Sequence, residues 1–84
     1  MNCFWQKIEQ KLREMEAEET FDLFALGYII PQVSLAQNEA DHDDSAEHIL
    51  ASYIESSMQM DRLDDSDIKL VRQALADACE GIRE

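Results

Sequence analysis

Residues that break or turn a helix are almost missing from this chain, which has 2 glycines and 1 proline among 84 residues. Hairpins and closely spaced turns draw on glycine and proline, so their scarcity argues against a β-rich fold. Basic residues are scarce as well: 7 Lys and Arg stand against 19 Asp and Glu, a formal net charge of −12. Nucleic acid and anionic membrane are polyanions bound through Lys and Arg, so this balance makes both poor partners and favours basic proteins. The 2 cysteines, Cys3 and Cys79, sit near opposite ends without CxxC or metal-ligand spacing. They read as reduced, partly buried thiols, with a disulfide joining the terminal helices as the alternative. Met1 to Lys7 lack the basic flank and apolar stretch of a secretory signal, so a cytoplasmic location is expected. No apolar run reaches the roughly 20 residues that span a bilayer. The longest, Phe21 to Ala36, contains Asp22, Pro31, Gln32 and Ser34.

What the chain has in quantity is apolar residues at helical spacing. At 45 % hydrophobic it is too apolar for a disordered acidic tail, and a packed core follows. Residues 1–84 make one helical domain, which at this size buries only about 60 to 65 % of the surface its unfolded chain exposes. The self-repulsion of so many acids keeps it soluble and opposes compaction.

Four helices are expected. Trp5, Ile8, Leu12 and Met15 repeat at three and four residues and share one face of a first helix over about Asn2 to Ala17. Thr20 can cap a second helix, with Asp22 in its first turn at the positive end of the dipole. Pro31 lacks an N–H and disfavours helical geometry at Ile30, so a kink or short break is expected there before helix resumes to about Asn38. The run from Glu39 to Asp44 reads as a solvated loop. Asp44 or Ser45 then caps a third helix carrying Ala46, Ile49, Leu50, Tyr53, Ile54 and Met58 to about Met60. The clearest local signal opens the fourth helix: Asp64 as N-cap, Asp67 three residues on, and Leu63 with Ile68 as a hydrophobic staple. Ile68, Val71, Leu75, Ala78 and Ile82 form its stripe, and Gly81 suits fraying or a stop. The fold class is all-α, a small antiparallel bundle of about four helices.

The segment Leu23, Phe24, Ala25, Leu26, Gly27, Tyr28 is followed by an apolar helix, an acidic loop with Ser45 and Ala46, and a last helix opened by Leu63. Taken together these resemble the YfcL family of small uncharacterised bacterial proteins, over most of the chain from the first helix onward. The resemblance implies a bacterial, soluble, helical domain and supplies no substrate or catalytic residue. Two departures stand out. Pro31 lies within the second helix, which works against a straight one, and Asp64-Asp65 replaces a Ser-Pro helix start, a conservative change of cap.

Candidate chemistry is thin. Asp41, His42, Asp43, Asp44, Glu47 and His48 crowd oxygen and imidazole groups that suit divalent cations. The spacing argues against a defined site. An EF-hand loop begun at Asp41 puts Ala46 at the glycine position and Ser52 at the glutamate position; one begun at Asp61 puts Leu63, Ser66 and Arg72 at ligand, glycine and glutamate positions. His42 and His48 lack the HExxH placement of zinc proteases. Ser45, Ser52, Ser56, Ser57 and Ser66 have no nucleophile elbow, no particular His pairs with Cys3 or Cys79, and no Gly-rich loop is present to cradle phosphate. A non-enzyme without cofactor or metal is expected, with divalent-cation binding as a distant alternative.

Surface remains. The apolar residues of the second helix surround its axis more completely than a single core-facing stripe. Burial on several sides accounts for part of this. The functional reading is a protein-protein interaction module that binds a protein partner, or a second copy as a homodimer, through Phe24, Tyr28, Ile29 and Val33. The alternative is an acidic electrostatic decoy that engages a basic, nucleic-acid-binding protein through Asp41, Asp43, Asp44 and Glu47.

Overall fold

Three of the four helices have a single apolar stripe, and the fold is what results when all three stripes pack on the fourth helix. In the computed structural model, which describes residues 4–19, 21–39 and 46–83, the helices are α1 (Phe4–Glu18), α2 (Leu23–Glu39), α3 (Ala46–Asp61) and α4 (Asp65–Arg83). Helix α2 packs against all three others and α1 also against α4, whereas α3 and α4 meet only sparsely. The core takes Ile8, Leu12 and Met15 from α1, Leu50, Ile54 and Met58 from α3, and Val71, Ala74, Ala78 and Cys79 from α4. Ala25, Leu26, Ile29, Val33 and Ala36 of α2 lie among them, each no more than 1 % exposed. Removing a large side chain here, such as Leu26 to Ala, costs about 2 to 5 kcal/mol.

Side-chain caps define two helix starts. Asp22 Oδ1 accepts the N–H groups of Phe24 at 2.8 Å and Ala25 at 3.2 Å, two of the orphan donors of α2. Asp22 therefore caps α2; Thr20, the expected cap, lies outside the described residues. Asp22 precedes the first turn instead of sitting in it. At α4 the expected arrangement is present: Asp64 Oδ1 accepts the Asp67 N–H at 2.9 Å and the Ser66 hydroxyl at 3.0 Å. Leu63 and Ile68 both pack against the core. The expected cap of α3, Asp44 or Ser45, lies outside the described residues.

Glycine ends neither α1 nor α3. Arg62, with φ 56°, is left-handed just after α3. Its N–H donates to the Gln59 carbonyl at 3.3 Å and that of Leu63 to the Met58 carbonyl at 3.2 Å, the two bonds of a Schellman cap. Glu19, with φ 55°, follows α1 in the same conformation, and its N–H donates to the Glu16 carbonyl at 3.2 Å. Gly81, expected to mark fraying or a stop of α4, lies inside the helix without a positive φ. A Cβ there would stand 2.5 Å from Lys11 Cε, so the lysine stem lies over this glycine where α1 meets α4.

Helix α2 continues through Pro31 without a break. The ring removes the N–H that would bond the Gly27 carbonyl. Gly27 and Pro31 are both exposed on the same side of the helix, where water can take that carbonyl's bond. A proline on the buried side would have left the carbonyl unpaired in the core.

Backbone substitutions test these assignments. Gly27→Ala meets open space and is expected to stabilise by about 0.5 to 1 kcal/mol through helix propensity. Arg62→Gly relieves a left-handed non-glycine residue and is expected to add about 1 kcal/mol. Urea midpoints at unchanged slope are the readout; a loss of stability at position 62 would mean that the Arg62 side chain outweighs its backbone strain.

Candidate interaction surface

Sixteen consecutive residues, Leu23 to Asn38, carry no charged side chain in a protein where 31 % of residues are charged. A helix of this composition is apolar on nearly every side, and its neighbours cover only one arc of it. Ala25, Leu26, Ile29, Gln32, Val33 and Ala36 fill that arc. On the exposed arc beside it lie Phe24, 46 % exposed, and Leu35, 50 % exposed, with Pro31 exposed and Tyr28 half-buried. Positions 24, 28, 31 and 35 follow the i, i+4, i+7, i+11 progression that keeps one helix face in line. Leu23, 53 % exposed, flanks it. The Phe24 and Tyr28 rings stack with centroids 6.2 Å apart, so the first two turns present a joined aromatic surface.

Two of the expected partner-binding residues are not on this surface. Ile29 is 0 % exposed and Val33 1 % exposed, both in the core, because their angular positions face the other helices. Phe24 and Tyr28 are on it. Pro31 lies within the stretch from Tyr28 to Val33 expected to form the interface, whereas Leu35 lies beyond it. The face becomes visible only once it is known which arc of this uniformly apolar helix its neighbours cover.

Tyr28 is held at both ends. Its hydroxyl donates to Asp61 Oδ2 at the end of α3, 2.7 Å away, and its backbone carbonyl accepts from Gln32 Nε2 at 3.2 Å. The phenol pKa is raised above the ordinary value, first by loss of hydration and then by the carboxylate of Asp61. Gln32 is 8 % exposed, and its Oε1 has no hydrogen-bond partner. An orphan of this kind costs about 1 to 3 kcal/mol.

Acids surround the N-terminal end of the face. Asp64 is held below the usual carboxylate range by the N–H of Asp67 and the hydroxyl of Ser66. Asp67 is pushed up, first by loss of hydration and then by the negative charge of Asp64, with Asp22 adding to it. Asp22, Asp64 and Asp67 thus form one negative cluster where α2 and α4 begin. Of the acidic alternative, Asp41, Asp43 and Asp44 lie outside the described residues, as does His42. Glu47 and His48 sit in the first turn of α3 but on different sides of it. Glu47 lines the groove toward α4, whereas His48 lines an open concavity with Glu39, Tyr53 and Met60. Among the described residues no three His, Cys, Asp or Glu side chains converge to hold a metal ion, and no helix is long and apolar enough to cross a membrane.

A second concavity, of about 360 Å³, separates α3 from α4, with Ala51, Ile54, Leu75 and Cys79 in its lining. Arg72 ties the two helices there, donating from Nε and Nη2 to the Glu55 carboxylate at 2.7 and 2.8 Å and lowering its pKa. Both side chains are solvent-accessible, so the pair contributes at most about 1 kcal/mol. Cys79 is buried against this groove, while Cys3 lies outside the described residues, and with it the question of their pairing.

No family model, curated protein or solved structure matches this chain.

The Tyr28 bond has a pH consequence. A tyrosine with a raised pKa in the folded state contributes stability that is full below the ordinary pKa of about 10 and is lost as pH rises through the folded value. In a Tyr53→Phe background, phenol absorbance should titrate above the ordinary value, and Asp61→Ala should bring it part of the way back, since burial remains. A midpoint unmoved by Asp61→Ala would exclude the bond in solution.

Proposed function

We propose that this protein is a non-catalytic protein-interaction module whose docking face is the outward side of α2, centred on Phe24, Tyr28, Pro31 and Leu35. The observation that carries the proposal is a charge-free, largely apolar helix face turned to solvent on a chain of net charge −12. Surface acids are abundant everywhere else, so solubility gives no reason to leave this face apolar. Contiguous exposed apolar patches on small domains mark interaction sites more often than they occur by accident. Tyr28 and Phe24 supply rigid area, and the bond to Asp61 holds the Tyr28 ring in place before any partner arrives, lowering the entropy cost of docking. The motif behind the YfcL resemblance, Leu23 to Tyr28, supplies the first half of this face. On this reading the module works in a bacterial cytoplasm.

Substitutions separate the face from the core. Leu35→Asp is expected to leave the helical circular dichroism and melting temperature nearly unchanged, within about 0.5 kcal/mol for an exposed site. Val33→Asp buries an unpaired charge and is expected to unfold the protein. A photo-crosslinking residue at position 35 should yield a discrete product identifiable by mass spectrometry, whereas one at the exposed Gln73 on α4 should not. The partner so identified, once purified, should bind the Leu35→Asp variant at least about tenfold more weakly, a loss of about 1.4 kcal/mol. Equal crosslinking at both positions, or undiminished binding by Leu35→Asp, would overturn the assignment.

A further inference from the structure

The α2 face is framed by negative charge at both ends and carries none between. At its start Asp22 bonds the Phe24 N–H, Asp61 accepts from the Tyr28 hydroxyl, and Asp67, bonded through its N–H to Asp64, feels the charge of Asp22. Arg62, next to Asp61 in the chain, offsets one of these charges. At its end Glu39 lies one turn beyond Leu35. From Asp22 to Glu39 the helix rises about 25 Å at 1.5 Å per residue. Between these limits Gly27 leaves open space at the surface, which lets another backbone approach closely.

We infer that the occupant of this face is an amphipathic helix of another protein whose apolar stripe ends in Lys or Arg at both ends; the inference rests on the docking face proposed above. Charge arrangement selects this partner over a second copy. Two α2 faces packed parallel would set Asp22 and Asp61 against their own equivalents, and packed antiparallel would set them against Glu39. Either arrangement places like charges together on chains that each carry −12, and such juxtaposition costs affinity. Basic ends meet the acids in both orientations, while the apolar stripe covers Phe24, Tyr28, Pro31 and Leu35.

The test uses the full chain, labelled for nuclear magnetic resonance, with two synthetic helical peptides of about 18 residues, a length that spans about 27 Å. One has a leucine stripe with lysines at both ends; its twin has glutamates in place of the lysines. The lysine peptide is expected to shift the amides of Leu23 to Glu39, and its Kd to weaken about tenfold from about 50 to about 300 mM salt. A similar loss is expected in the triple variant Asp22→Asn, Asp61→Asn, Glu39→Gln, where Asn keeps the cap and the acceptor for Tyr28. The twin should bind at least about 100-fold more weakly, as like charges at both ends require. Equal binding of both peptides on α2 would overturn the basic-partner inference and leave the docking face standing. Shifts confined to Glu14 to Glu18 with the lysine peptide would overturn the inference too, as would dimerisation of the chain abolished by Leu35→Asp. Failure of both peptides to reach α2 would overturn the docking face itself.

Discussion

Helix α2 is the constraint from which the rest of the molecule follows. It is the one long segment without charge, apolar on nearly every side, and it must be covered by a chain with little material to do so. Helices α1, α3 and α4 bring one stripe each, and together they enclose the arc of Ala25, Leu26, Ile29, Val33 and Ala36. Small domains have a high ratio of surface to volume. With three neighbours and 84 residues, part of α2 is left facing water, and that remainder is the face assigned to docking. Core and candidate site are thus two sides of one helix.

The abundant acids have a structural part in addition to solubility. Asp22 and Asp64 take up backbone donors at the starts of α2 and α4, where the helix dipole also favours negative charge. This concentrates carboxylates where the two helices begin, and Asp67 shows the consequence in its raised pKa. With few glycines available, left-handed Glu19 and Arg62 close the ends of α1 and α3. Non-glycine residues in this conformation are strained, and hydrogen bonds to the last-turn carbonyls offset part of that strain.

Much of the architecture was legible because α1 and α4 are strongly amphipathic: a helix with one apolar stripe announces which residues it buries. The start of α4 was legible for a related reason, since cap and staple are local and need no tertiary partner. At α2 the same method had less to work with. Ile29 and Val33 have the same apolar character as Phe24 and Leu35, so composition could not sort core from surface, and two of four expected contact residues proved buried. Thr20 was expected to cap α2 with Asp22 in the first turn, yet Asp22 takes the cap, and locally either oxygen suits the role. Pro31 was expected to kink or break α2, and no break occurs; its effect depends on which way the Gly27 carbonyl faces, and that is set by packing.

Periodicity and the paucity of glycine and proline were sufficient to determine that this protein is helical and that four helices form. These are properties of local chain chemistry, which do not depend on how the helices meet. Only the tertiary structure decided which arc of α2 is covered, that Tyr28 reaches Asp61 across 33 positions, and that acids from α2, α3 and α4 frame one apolar face. Those facts arise from the relative placement of elements distant in sequence, and no local pattern carries that information when a helix is apolar all round.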